Sequence, residues 1–292
     1  MQLAKTIYSD DPIQVLSNGT ILLDYGPMRM FISVSEHGGP LPRLAAEGAH
    51  FAMGLLDDLS KCLPIIKSKS LTLEIIDIYP EIVQRMIRAT QQPGEPDLTP
   101  LAAVAGTASE MVADYIFNKG GTKVIVDNGG DIAIRLREGE VARVGVKTEI
   151  SAKQPAYLIS IDSTMGIGGV ATSGFGGRSF TKGIASAATV LAERASIADA
   201  AATVIGNFTN VDDPNITRTL AERFYPDTDI AGEWVTTRVG ELSQEKIEQA
   251  LNNGLSRANE IYQKGLIHGA LIALQKKTVW TELLTSWLKK KL

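Results

Sequence analysis

The sequence predicts an α+β fold, with mixed or antiparallel strands packed against helices in a single compact unit. Strand-like and helix-like segments follow one another in no regular order. The central strand-like segments are joined by turns too short for the crossover a parallel pair needs. No fixed-period repeat and no low-complexity linker divides the 292 residues, and one large unit accommodates that length.

The chain opens with strand signals at 21–25 and 28–34 around Gly26-Pro27, which predicts a hairpin. Ala52, Leu55, Leu56, Leu59 and Leu63 fall on one helical face, so a helix is expected over 44–63, stopped by Pro64. Residues 71–78 are β-rich and read as a strand, and Pro80 opens a short helix to Thr90. Thr99-Pro100 has the form of an N-cap followed by proline at the first helical position. The helix it predicts carries Leu101, Val104, Ala108, Met111, Val112 and Ile116 on one face and ends at Gly120-Gly121.

Four strands are expected next, at 123–127, 132–136, 141–146 and 157–161. The segment 166–183 holds seven glycines in 18 residues and reads as a loop. Helices are expected at 184–194 and 197–208, then an irregular stretch over 209–240. A long helix is expected over 242–273, with a break near Lys264-Gly265. Trp280, Leu283, Leu284, Trp287 and Leu288 form one stripe, so 276–292 reads as a C-terminal docking helix against the core or a partner.

Composition narrows the function. Hydrophobic residues make up 44%, enough for a sizeable core and against disorder. With 29 basic and 33 acidic residues the net charge is −4, so there is no basic excess of the kind nucleic-acid binding requires. A single cysteine, Cys62, excludes an internal disulfide framework and a multi-cysteine zinc site. Three scattered histidines, His37, His50 and His268, argue against a histidine-rich metal centre. The start lacks a basic region followed by a long apolar run, and no stretch has the length of a membrane span, so a cytoplasmic protein is expected.

Three segments carry polar chemistry. Asn128, Gly129, Gly130 and Asp131 are a hairpin-turn signal. Glycines there also let a ligand approach the backbone, while free N–H groups cradle an anion. The glycine-rich segment interleaves Thr172, Ser173 and Gly174 with Arg178 and Lys182, a mixture of donors and cations suited to phosphate. It is neither a Walker loop nor a dinucleotide fingerprint, and a plain surface loop is the competing reading. Asp199 and Thr203 lie four residues apart on one helix face, offering two oxygens to a hard cation such as Mg²⁺. The competing reading is a capping box, Ser196-x-x-Asp199, with aspartate replacing the usual glutamate.

Taken in order, Gly129-Gly130-Asp131, Ala171-Thr172-Ser173-Gly174 and Ala198-Asp199 with Thr203 resemble the ApbE family, FAD-dependent, Mg²⁺-requiring FMN transferases that attach FMN to a Thr or Ser of a flavoprotein. The likeness is closer to a shorter branch related to ApbE and covers roughly residues 95–210. It implies that Asp199 and Thr203 hold Mg²⁺. It also implies that Asn128–Asp131 and Ala171–Gly174 contact FAD or FMN. Arg178 and Lys182, the polar groups available in the glycine-rich segment, are with Asp199 the candidates for the chemistry itself. Two positions depart from the transferases: Ala105 stands where they carry a lysine, and no histidine lies between Ser173 and Thr203. Two other readings remain open on the same scaffold. One is an enzyme acting on a small anionic metabolite. The other is a non-catalytic flavin-binding or assembly protein, working as a homo-oligomer or with a flavoprotein partner.

Overall fold

The computed structural model describes residues 11–149 and 152–290. In chain order the elements are β1 (Ile13–Val15), β2 (Ile21–Tyr25), β3 (Met28–Glu36), β4 (Gly39–Pro40), α1 (Pro42–Ser60), α2 (Leu63–Ile66), α3 (Glu81–Gln91), α4 (Val104–Asn118), β5 (Lys123–Asn128), β6 (Asp131–Leu136), β7 (Val141–Val146), β8 (Tyr157–Asp162), β9 (Gly169–Ser173), β10 (Ala187–Ala192), α5 (Ala195–Phe208), β11 (Ile216–Leu220), β12 (Trp234–Val239), α6 (Gln244–Gln263), β13 (Gly269–Leu274), β14 (Lys277–Trp280) and β15 (Leu288–Lys290). The α+β expectation holds, and every strand pairing among the described residues is antiparallel.

A ten-stranded sheet runs β1-β2-β3-β5-β6-β9-β10-β13-β14, with β4 added on β3. A three-stranded sheet, β15-β8-β7, and the hairpin β11-β12 complete the strands. The large sheet packs its inner face against the helices. Strand β3 shows why: Met28, Met30, Ile32 and Val34 point inward and are buried, while Arg29, Phe31 and Ser33 point outward. On the inner side Ile32 and Val34 pack with Ala49 and Ala52 of α1 and Val112 and Ile116 of α4. On the other face, Ile134, Val170 and Leu191 pack with Val144, Ile159 and Ile161 of the small sheet. Where the two sheets part, they leave a cleft.

The hairpin expected at Gly26-Pro27 is present, with Tyr25 opposite Met28 and Gly26 at φ +56°. The four strands expected between 123 and 161 are also present. Several expectations fail for identifiable reasons. Residues 71–78 form no strand: Ile76 and Ile78 are exposed, and the Gln91 side chain holds the carbonyls of Ser70 and Leu73, each at 2.8 Å. Thr99 does not cap a helix; its hydroxyl donates to Asp229, and a 3₁₀ turn over Pro100–Ala103 precedes α4. The helix expected over 184–194 is strand β10, fully buried between β9 and β13. Burial on both faces removes the alternation that marks a strand, and an alanine-rich run then mimics a helix.

The stretch 209–240 contains the β11–β12 hairpin, and 269–274 is strand β13 rather than the end of a helix. Gly265, at φ +73°, follows the last turn of α6 and redirects the chain. The segment expected as a C-terminal helix is β14, a 3₁₀ turn over Glu282–Ser286 and β15. Leu284 of that turn is fully buried, and Tyr157 packs edge-on against Trp280. Among the described residues, no helix is long and apolar enough to cross a membrane.

Candidate functional site

The cleft at the parting of the two sheets has a volume of about 680 Å³. It gathers residues from all three polar segments of the sequence. The β5–β6 turn contributes Gly129, Gly130 and Asp131. The end of β9 contributes Thr172, Ser173 and Gly174, the following loop contributes Arg178, and α5 contributes Asp199 and Thr203.

The turn is built from its own side chain: Asp127 Oδ1 accepts the Gly130 N–H at 2.8 Å. Gly129 and Gly130 adopt φ +73° and +106°, conformations that disfavour any Cβ. Arg178 lies directly over Gly129, where a Cβ would meet its Nη2 at 2.1 Å. The guanidinium donates to the Asn128 carbonyl at 3.3 Å. Asn128 itself is buried behind the turn, and its Oδ1 has no partner. Ala171 is buried in β9 and does not reach the cleft surface, whereas Thr172 does, with its hydroxyl 2.9 Å from that of Thr189.

Asp199 is held where two helices begin. Its Oδ2 accepts the Gly106 N–H at 2.8 Å, and the Ala105 N–H also favours its charge. These are amides of the first turn of α4, which no intrahelical carbonyl can serve. Helix α4 comes this close because residue 106 is glycine: a Cβ there would lie 2.3 Å from the Ala195 carbonyl oxygen. The capping box read at Ser196-x-x-Asp199 is not formed. The Ser196 hydroxyl instead donates to Glu110 Oε2 of α4 at 2.8 Å.

Electrostatics set Asp199 and Asp131 apart. Burial pushes the Asp199 carboxyl up to about 7, against the pull of the Gly106 and Ala105 amides. Burial, and then the charge of Asp199, push Asp131 well above the ordinary carboxylate range; the Thr172 N–H and Arg178 oppose this. Two buried carboxyls, one of them raised further by the charge of the other, form a place where a proton or a cation is favoured.

Lys182 is not brought to the cleft. It forms ion pairs with Asp97 at 2.6 Å and Glu233 at 3.2 Å on another face. Burial there would lower its pKa, but the two acids raise it. Cleft residues not singled out from the sequence include Arg29 and Phe31 on the outward face of β3, and Lys147 and Glu149 after β7. The period-two pattern of 28–34 carried the signal, because Phe31 is a large apolar residue on the polar phase.

An antiparallel α+β scaffold with an oxygen-rich cleft between two sheets defines the class of this molecule. Residues 13–281 match the profile of the family described as "AbpE bacteria", and the chain belongs to that family. It is 36% identical over 166 residues to a UPF0280 protein of Methanopyrus kandleri, a match covering 56% of this chain and 64% of the relative. It is 39% identical over 133 residues to a UPF0280 protein of Methanosarcina barkeri, covering 45% and 50%. The chain thus spans between half and just under two thirds of the length of these relatives. Apo Pseudomonas stutzeri flavinyl transferase ApbE aligns with a TM-score of 0.38 at 15% identity, over 65% of this chain and 53% of that one.

Proposed function

We propose that the cleft binds a flavin nucleotide, FAD or FMN, with the help of a divalent cation such as Mg²⁺, and that it serves FMN transfer to a protein Ser or Thr hydroxyl. The observation that carries this reading is the convergence of Asp131, Asp199 and Thr203 with Arg178 and the Gly129-Gly130 turn in one cleft.

The residues suit a hard cation. Carboxylate and hydroxyl oxygens are what Mg²⁺ takes, and it commonly uses one or two carboxylates together with substrate phosphates. Among the described residues no group of three or more His, Cys, Asp or Glu is placed to hold a metal ion, so ligand and water oxygens would complete the shell. Bound there, the cation would neutralise a diphosphate and polarise the phosphorus–oxygen bond that breaks.

The chain's own groups would do the rest. The Gly129 amide and the Arg178 guanidinium hold phosphate oxygens, and the Ser173 hydroxyl adds a donor. The acceptor hydroxyl attacks the phosphorus of the FMN moiety, its bond to the AMP oxygen breaks, and AMP leaves. The hydroxyl proton passes to a cleft carboxylate that the cation does not hold, Asp127 or Glu149, since no histidine lines the site. A protein offering its hydroxyl from the solvent side is the partner this reading requires.

Calorimetric titration of FAD with and without Mg²⁺ tests it. Mg²⁺-dependent binding is expected, lost in Asp199→Ala and weakened in Thr203→Val, which leaves the α4 cap intact. Absence of FAD binding by the folded protein at high micromolar concentration would overturn the flavin reading in favour of a small anionic ligand.

A further inference from the structure

The cleft has two chemically different ends. One is the oxygen-rich end just described. The other is formed by β3 and the end of β7, and the proposed cation and phosphates do not use it.

Phe31 is the aromatic residue of this end and the one aromatic side chain among the described residues lining the cleft. It is 40% exposed. An isolated exposed phenylalanine is ordinary on a protein surface. This one is placed by sheet register. Phe31 pairs with Asp127, Asp127 with Ile132, and Ile132 with Val170, so the four form one row across β3, β5, β6 and β9. Directly paired residues share a face, and all four line the cleft. The row therefore runs from Phe31, through the aspartate that shapes the anion-binding turn, to an apolar floor. Val144, Gly145 and Val146 of β7 also line the cleft.

Two cations flank this end with little to occupy them. Arg29 reaches only Asp24, at 4.0 Å and largely exposed, and Lys147 forms no ion pair among the described residues. A flat ring on Phe31 would bring its hydrogen-bond-accepting edge to these two donors. The dioxopyrimidine edge of a flavin accepts hydrogen bonds from such groups; adenine has no carbonyl to offer them.

We infer that Phe31 is the stacking platform for the ligand's ring, and that Arg29 and Lys147 read its carbonyl edge, so that the flavin rather than the adenine occupies the β3 end. This rests on the flavin-nucleotide reading of the cleft. It assigns selectivity to residues outside the proposed metal site.

The test compares FAD, FMN, ADP and inorganic pyrophosphate, each titrated with Mg²⁺ into the full chain. The wild type is set beside Phe31→Ala, Phe31→Leu, Phe31→Tyr and Lys147→Gln. Loss of ring stacking weakens binding about tenfold to a hundredfold. That loss is expected for FAD and FMN in Phe31→Ala, with partial recovery in Phe31→Leu and full recovery in Phe31→Tyr. Pyrophosphate and ADP should bind all the variants as they bind the wild type. Lys147→Gln should weaken FMN and spare pyrophosphate. Equal losses for FMN and pyrophosphate, or an unchanged FMN affinity in Phe31→Ala, would overturn the assignment. A wild-type protein that binds pyrophosphate but neither flavin would overturn the flavin reading itself, and is distinguished from those outcomes by needing no variant.

Discussion

Glu110 and Asp199 cap one another's helices. Asp199 of α5 accepts the Gly106 N–H at the start of α4, and Glu110 of α4 accepts the Ser196 N–H at 3.2 Å at the start of α5. A negative group at a helix N-terminus is favoured by the orphan amides and by the helix dipole. The two helix starts are thereby locked together, and the proposed metal ligand is part of the lock.

Glu110 is the more deeply committed of the pair. It is 1% exposed and bonded by Arg194 and Arg85 as well as Ser196. Burial would raise its pKa, but Arg194 and Ser196 outweigh this and hold it below the usual range. Glu110→Ala leaves the buried Ser196 N–H and hydroxyl without their acceptor, while Arg194 reaches solvent and Arg85 keeps Glu81 and Asp114, so a cost of about 1–3 kcal/mol is expected. Urea denaturation should show that loss. A destabilisation under about 1 kcal/mol would mean that solvent reaches the network and that the lock is weak.

Gly106→Ala tests the same junction from the backbone side. Its Cβ would sit 2.3 Å from the Ala195 carbonyl oxygen and 2.7 Å from the Asp199 Cβ, so α4 must move away from α5. Overpacking of this kind costs about 1–3 kcal/mol, and here the moving atoms are backbone. Stability and Mg²⁺-dependent ligand binding should fall together, read by thermal melts and calorimetry on the same samples. Retained binding in a destabilised protein would separate the Asp199 site from the helix contact.

The sequence made the site more legible than the fold that delivers it. The Asn128–Asp131 turn, the residues around Thr172 and the Asp199–Thr203 pair carry their chemistry in local spacing, and the structure brings them to one cleft. Lys182 shared their composition but lies among Asp97 and Glu233, acids remote in sequence whose placement no local pattern shows. Strands with one wet face, such as β3, announced themselves by alternation. Strand β10 did not, because both of its faces are dry. Asp199 misled in another way: its helix-capping partner lies 93 residues earlier, not in its own first turn.

Gly129 and Gly130 are adjacent, both at positive φ, yet substitutions there should differ. A Cβ at Gly130 meets nothing within 4 Å, whereas at Gly129 it strikes the Arg178 guanidinium. Both changes incur a left-handed backbone cost of about 1–2 kcal/mol. Only Gly129→Ala should also displace Arg178 from the cleft. Its affinity for pyrophosphate with Mg²⁺ should fall about tenfold below that of Gly130→Ala, in the range of a charged hydrogen bond. Equal affinities would show that Arg178 does not need its perch on the turn.

The raised carboxyls predict a linkage between protons and metal. The folded pKa of Asp199 is about 7, above the ordinary range, and burial raises it. Between the ordinary value of about 3.9 and about 7, the folded protein holds a proton that the unfolded chain has lost. This stabilisation is complete below the unfolded value and disappears as pH rises through the folded one. Mg²⁺ bound at Asp131 and Asp199, as proposed, would have to displace that proton. Its apparent affinity should weaken as pH falls, by about tenfold for each pH unit below 7 from the Asp199 proton alone. Thermal melts in chelator and in Mg²⁺, at intervals from about pH 5 to about 8, measure both effects. In chelator this pair favours the acid side, while the Mg²⁺-induced rise in Tm grows toward alkaline pH. A Mg²⁺ shift that is constant across the range, and unchanged in Asp131→Asn, would place the cation away from this pair.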